Sequence, residues 1–229
     1  MLLNPYRFAA SSTLLTGLVS WWSLDEASGS RADSHGSNTL TDNNTVTQAA
    51  GKIGNAGQFT TATAEYLSVA AGHGLGGGTS FTAAAWVYPD TIISNGGILR
   101  VGSGNGITTH DWLLATQSTY FKFFKSYDST WEQLNAATYG APALSTWQFV
   151  MAEYDIATKT LGIQINNGTK DTATHTGTTA TPSQPFEIGR YHTSEWNGRI
   201  DEAAFWSRLL TTEEKAELYN SGTGIAYPG

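Results

Sequence analysis

Short apolar runs that alternate with polar residues recur along this chain, and that alternation is the period of a strand with one buried face. Residues 18–24 open the series, followed by 57–59, 66–69, 81–88, 98–102, 112–115, 120–124, 148–155, 160–166, 186–189 and 199–206. The 81–88 run stops at Pro89, which has no N–H to give a ladder. Asn167-Gly168 follows the 160–166 run, and both residues tolerate positive φ, so a tight turn is expected there. About a dozen short strands at this spacing predict a β-sandwich or barrel. One helix is predicted, over 210–219. Thr211 and Glu214 have the spacing of a capping box, Glu213 and Glu214 suit the helix dipole, and Gly222 is placed to end the helix. Residues 1–16 show no strand pattern and read as an arm ahead of a single domain, 17–229.

Composition narrows the function classes. The 229 residues include no Cys, so disulfides, thiolate metal sites and Cys nucleophiles are excluded. A formal charge of −7 argues against nucleic acid as a main partner, because phosphate binding needs a basic footprint. Only 14% of residues are charged, against about 25% in an average protein, so the surface must be built mostly from Thr, Ser, Asn and Gly. Asn4, Pro5 and Arg7 interrupt any apolar run at the N-terminus, so no signal peptide is expected. No stretch approaches the roughly 18–20 apolar residues of a bilayer span, and no membrane insertion is expected.

A set of blocks in fixed order carries a family resemblance. They run from Gly17-Leu18-Val19-Ser20-Trp21-Trp22 through Asp33-Ser34-His35-Gly36-Ser37-Asn38 and Gly51-Lys52-Ile53-Gly54-Asn55-Ala56-Gly57-Gln58-Phe59. Tyr66-Leu67-Ser68-Val69, the 81–89 block, Asn166-Asn167-Gly168, Ile188-Gly189-Arg190 and Trp196-Asn197-Gly198-Arg199-Ile200-Asp201-Glu202 complete them, ahead of the capped helix. In this order they resemble the laminin-G-like, concanavalin A-like jelly-roll domains of phage, bacterial and animal surface proteins. The resemblance implies an all-β sandwich of two antiparallel sheets, one convex and one concave, with one short C-terminal helix. Many animal members carry a disulfide near the C-terminus, and this Cys-free chain departs from them there. Function lives in sites grafted on such a fold rather than in the fold itself.

Catalysis finds little support. Retaining glycoside hydrolases of this fold carry Glu-x-Asp-x-x-Glu on one strand, which puts two carboxylates at working distance. The nearest match here, Glu153-Tyr154-Asp155-Ile156-Ala157-Thr158, ends on Thr158 and lacks the acid/base. The five His residues show no metalloenzyme spacing, no G-x-S-x-G elbow occurs, and the Gly-rich 74–78 segment lacks the end of a phosphate loop.

Two binding chemistries remain open. The resemblance implies calcium where the early Asp-rich turn meets the last strand, which matches Asp33, Asn38 and Asp201, with Gly36 as a carbonyl donor. The alternative is that Asp33 and Asn38 form Asx turns and Asp201 caps a loop. Among the eight Trp residues, Trp21 or Trp22, Trp86, Trp147 and Trp206 read as core, whereas Trp112, Trp131 and Trp196 sit amid polar residues. Trp112, Tyr127, Asp128, Trp131 and Trp196 are therefore the candidate glycan-binding residues. The competing reading buries each ring locally or against a partner subunit.

Two functions from different classes follow. The first is a non-catalytic virion module of a bacteriophage, a capsid decoration or tail-associated protein that reaches the outside by lysis without a signal peptide. Its partners would be further copies of itself or capsid and tail proteins, docked through an arm carrying Tyr6 and Phe8. The second is a secreted or cell-surface, carbohydrate-binding, lectin-like adhesin. Either one would work at the virion surface or outside the cell.

Overall fold

The computed structural model describes residues 12–103, 110–127, 130–178 and 183–229. In chain order the strands are β1 (Leu18–Trp22), β2 (Thr41–Asn43), β3 (Thr47–Ala50), β4 (Asn55–Phe59), β5 (Tyr66–Val69), β6 (Phe81–Pro89) and β7 (Gly97–Gly102). They continue as β8 (His110–Gln117), β9 (Tyr120–Tyr127), β10 (Thr130–Asn135), β11 (Gln148–Asp155), β12 (Thr160–Ile165) and β13 (Asp171–Thr174). Last come β14 (Phe186–Ile188), β15 (Arg190–Tyr191), β16 (Ser194–Glu195), β17 (Gly198–Trp206) and a single α-helix, α1 (Thr212–Tyr219). The expected all-β jelly roll of two antiparallel sheets with one C-terminal helix is what the chain adopts.

One sheet runs β13-β12-β11-β6-β17-β4-β3, with β1 added beside β17. The other runs β10-β9-β8-β7-β14-β5-β2. β17 is shared along its length: its first half pairs with β4 and its second half with β1, while β6 flanks it throughout. A bulge between Asp201 and Ala204 marks the change, and there Glu202 takes φ 45°. Positive φ is costly for a residue with a Cβ, and bulges of this kind re-aim side chains.

Alternation sorts the side chains into three layers. Between the sheets lie Trp22, Phe59, Phe81, Trp112, Phe123, Tyr154, Phe186 and Phe205, all buried. Phe81 stacks on Phe205 at 5.3 Å and Trp22 on Phe186 at 5.0 Å, offset arrangements that add to the burial energy of the rings. A second layer covers the outer face of the eight-stranded sheet, where Trp21, Trp86, Phe149, Met151 and Trp206 meet Leu14, Leu210 and Leu218. The third and smallest, Leu113, Ala115 and Phe124, lies on the outer face of the seven-stranded sheet beneath Tyr191.

The helix begins as its sequence requires. Thr211 accepts from the Glu214 N–H and Glu214 accepts from the Thr211 N–H, closing the capping box. It ends at Tyr219, as expected, but Asn220 (φ 46°) takes the left-handed cap, with Gly222 (φ 87°) two residues beyond it. The hairpin after β12 also differs by one position. Asn166 and Asn167 take the left-handed conformation (φ 52° and 53°), and the Gly168 N–H closes the turn on Ile165 O at 2.9 Å. Asn tolerates that region because its short side chain can bond locally, so the preceding residue displaces Gly168 from the turn.

The boundary placed at residue 16 also moves. Residues 13–15 form a single 3-10 turn whose Leu14 is fully buried, and Trp206 Nε1 donates to Leu14 O at 2.6 Å. Thr13 Oγ1 donates to Glu214 at 2.5 Å and Arg208 Nε to Thr16 O at 2.6 Å. The last residues of the supposed arm therefore belong to the folded unit. Tyr6 and Phe8 lie outside the described residues.

Candidate glycan-binding face

The residues expected to hold calcium are occupied otherwise. Asp33 Oδ1 accepts from the N–H groups of Trp21, His35 and Gly36, and Oδ2 accepts from Asn38 N. Burial alone would raise its pKa, and these donors outweigh it and hold the carboxyl below its usual range. The Asn38 amide donates to Ser20 Oγ and His73 O. Asp201 Oδ2 accepts from Lys52 N at 2.7 Å and Ile53 N at 3.0 Å, and so caps a different loop. Asp33 and Asp201 share no partner, and among the described residues no group of three or more His, Asp or Glu is placed to hold a metal ion. Calcium wants six to eight oxygens, but Asp33 spends both carboxylate oxygens on N–H donors and Asp201 turns Oδ2 to a different loop, so Asp33, Asn38 and Asp201 are not gathered around one ion; Asp33 and Asp201 act as turn and loop caps.

The bulge in β17 instead creates a buried acidic pair. Asp201 Oδ1 has no partner, while Glu202 accepts from Trp21 Nε1. Burial pushes Asp201 up to about 7 and Glu202 up to about 8, each raised further by Asp25 nearby. Both therefore hold protons at neutral pH far more than free carboxyls would.

Glu153, the first acid of the near-match to the hydrolase motif, lies on the outer face of the eight-stranded sheet. Its carboxylate bridges Lys170 and Lys215, so it pins α1 to β11. Asp155 ends β11 and accepts from Ala157 N and Thr158 Oγ1 in the turn that follows.

Of the residues expected to bind a glycan, three are buried. Trp112 belongs to the inter-sheet core, with its ring stacked on Phe205 at 5.8 Å and its Nε1 donating to Leu75 O at 2.8 Å. Its polar neighbours misled because Asp111 is bulged out of register and turns inward, to the Gly77 N–H and the Lys125 ammonium at 2.5 Å. Tyr127 is buried against His175, ring on ring at 3.3 Å, and Trp196 is buried beside the β15–β16 hairpin. None of these three rings offers a face to solvent. Asp128 lies outside the described residues.

Trp131 is different: it is 50% exposed on β10, at the edge of the seven-stranded sheet. Its ring lies 5.4 Å from Phe124. Register explains its surroundings. On the outer face of the β9–β10 ladder, Trp131 stands opposite Ser126, Gln133 opposite Phe124, and Asn135 opposite Lys122. Gln133 Nε2 donates to Gln117 Oε1 at 3.1 Å and Asn135 Oδ1 at 3.0 Å, which gathers three amides beside the indole. Toward the sheet centre the face carries Leu113, Ala115 and Phe124, with Tyr191 of the β15–β16 hairpin folded against them. Beyond it Glu187 holds both Arg100 and Arg190, and Arg190 stacks on Tyr66 at 3.5 Å.

Two buried polar side chains on this face have no partner among the described residues, Ser126 through its Oγ and His110 through both ring nitrogens. His110 lies 5.2 Å from the Tyr191 ring, and burial, helped by the Arg100 charge, pushes its pKa down to about 4. It is a neutral imidazole at physiological pH, with one donor and one acceptor unspent. Gln133 and Asn135 were missed from sequence because β10 reads as a polar stretch, and alternation in 130–135 was the signal that could have found them.

Comparison with known proteins fixes the family. A laminin G family model, described as Concanavalin A-like lectin/glucanases superfamily, matches residues 60–214. The chain belongs to this superfamily. Among solved structures it is similar to domain 4 of AbnA, a GH43 extracellular arabinanase from Geobacillus stearothermophilus, in complex with arabinotriose. Identity is 16% and the TM-score 0.65, over 91% of this chain and 98% of that one. It is also similar to the binding domain of botulinum neurotoxin DC in complex with SialylT (14%, TM-score 0.69) and to that of Paraclostridial Mosquitocidal Protein 1 (13%, 0.71). Those matches cover 91% and 92% of this chain but 52% and 53% of the toxin domains, so this superfamily member spans about half their length. No sequence among curated proteins matches the chain.

Proposed function

We propose that this member of the superfamily is a non-catalytic glycan-binding module, and that it binds on the outer face of the seven-stranded sheet. The half-exposed Trp131 indole carries the reading, because it stands beside the Gln117–Gln133–Asn135 amides on an otherwise well-covered surface. Sugar C–H faces suit the electron-rich face of an indole. Primary amides offer a donor and an acceptor side by side for neighbouring hydroxyls. Related structures named for complexes with arabinotriose and SialylT support the same class of ligand. The near-hydrolase motif supports the absence of catalysis, since Glu153 is spent on two lysines under the helix.

Display is the setting that goes with this reading, on a secreted or cell-surface protein or, as composition suggests, on a phage particle. The decisive assay is a glycan array probed with the chain and with Trp131→Ala. Binding by the first and its loss of tenfold or more in the second is the expected result. An array without hits, or hits that survive the substitution, would overturn the assignment. Capsid or tail genes beside the coding sequence would place the module on a particle.

A further inference from the structure

The charges on this face do not balance, and the imbalance says what kind of saccharide it takes. Buried charges in proteins are paired, because desolvating an ion without a counter-ion costs several kcal/mol. Asp111–Lys125 and Glu187 with Arg100 and Arg190 obey the rule here. Lys122 does not. The residue is 5% exposed and faces outward on β9, and among the described residues its ammonium donates only to the Asn95 amide oxygen. The Tyr191 ring lies 5.9 Å from Nζ, and no described carboxylate comes within 4.0 Å of it. Desolvation pushes its pKa down, with no anion acting in the other direction.

Position connects this ammonium to the glycan face. Lys122, Phe124 and Ser126 alternate along β9, opposite Asn135, Gln133 and Trp131 on β10. The row from Trp131 to Asn135 covers four residue steps, about 14 Å of strand. A saccharide stacked on Trp131 and bonded to Gln133 would thus run toward Asn135 and Lys122. An ammonium with two N–H donors unspent waits there, beside the unpartnered His110 and Ser126 of the same face. A chain of net charge −7 gains nothing in solubility from placing a cation there, and a methionine would fill the same space without the desolvation cost.

We infer that the face selects saccharides bearing a carboxylate, such as uronic or sialic acid residues, and that Lys122 supplies the counter-ion. This rests on the glycan-binding reading above and narrows it. A bound carboxylate would take the two free N–H donors of the ammonium in charge-assisted hydrogen bonds, the strong kind, and would restore the missing pair.

The test uses matched probes: an oligogalacturonate against its methyl ester, and sialyllactose against lactose, titrated calorimetrically into the intact chain at low and moderate salt. At least one carboxylated member is expected to bind tenfold or more tighter than its neutral partner, with the preference shrinking as salt rises. Lys122→Met should erase the preference, bringing the carboxylated probe to the affinity of its neutral partner. Its melting temperature should hold or rise, because a desolvated charge has been removed. A purely structural lysine would instead show a drop in melting temperature and an unaltered preference, and that result sinks the inference. Equal binding of charged and neutral probes overturns the carboxylate selectivity while leaving glycan binding intact. No binding of any array or matched saccharide overturns both.

Discussion

Replacing Glu202 with Gln should flatten the alkaline side of the stability profile. Glu202 and Asp201 sit where the β17 bulge drives two carboxyls into the protein, beside Asp25. Burial raises their folded-state pKa values to about 8 and about 7. In the unfolded chain both ionise near pH 4, so above that pH the folded state binds more protons and unfolding becomes easier as pH rises. The stability these groups supply is complete below about pH 4 and is lost as pH climbs through 7 and 8. His110, His73 and His175 act oppositely, because burial lowers their folded pKa values. Their contribution grows up to about pH 6.5 and then levels off. The clean window therefore opens at pH 6.5 and closes near 8. One carboxyl with a raised pKa loses about 1.4 kcal/mol per pH unit, so Glu202 alone accounts for about 2 kcal/mol across the window. Glu202→Gln keeps an oxygen acceptor for Trp21 Nε1 and removes the titration. Urea denaturation at half-unit pH steps, followed by Trp fluorescence, should show the wild-type falling and the variant nearly level. Parallel curves would refute the assignment of a protonated pair.

Four further substitutions or treatments probe other contacts. Thr211→Ala opens the capping box and should cost about 1 kcal/mol in chemical denaturation. Glu153→Ala leaves Lys215, with only 11% of its side chain exposed, facing Lys170 without a carboxylate, and should cost about 3 kcal/mol. Helix amides of α1 should then exchange faster with deuterium than in wild type. Treatment with EDTA should leave the melting temperature unchanged, since Asp33 is saturated by backbone donors and Asp201 caps residues 52–53. A calcium-dependent shift would restore the ion to that loop. Trp131→Ala should alter stability by no more than about 1 kcal/mol while abolishing glycan capture, because half of the ring faces solvent.

The fold was legible because its long strands bury one face completely. β6, β11 and β17 alternate over eight or nine residues, and each Phe, Tyr or Trp on the inward positions lands in the inter-sheet core. The short or polar strands escaped detection for the converse reason. β10 buries Leu134 only, and β2, β3 and β13 have no fully buried residue. Edge strands expose a face and a row of backbone groups, so no run of apolar residues marks them.

The site was harder to read than the fold because a polar neighbourhood in sequence need not be a polar neighbourhood in space. His110-Asp111-Trp112 looked like a surface loop with a stacking ring. A one-residue bulge sends Asp111 inward to Lys125 and Gly77, leaves His110 on the outer face, and puts Trp112 in the core. Around Trp131 the neighbours are just as polar, but β10 is a regular edge strand, and regular pleating keeps the ring out. Which of the two outcomes occurs depends on a register shift between β8 and its neighbour β7, and the β9–β10 ladder has no such shift. Lys122 shows the same dependence from the other side. Between Phe121 and Phe123 it reads as the polar half of an alternating strand, the kind that points harmlessly to water. What makes it chemically expensive is Tyr191, almost seventy residues on, whose hairpin folds over that face. A sequence scan can find the lysine; only the assembled sheet shows that it has been deprived of solvent without being given an anion by any described residue. That deprivation, rather than the charge itself, is the reason to look for a carboxylate ligand there.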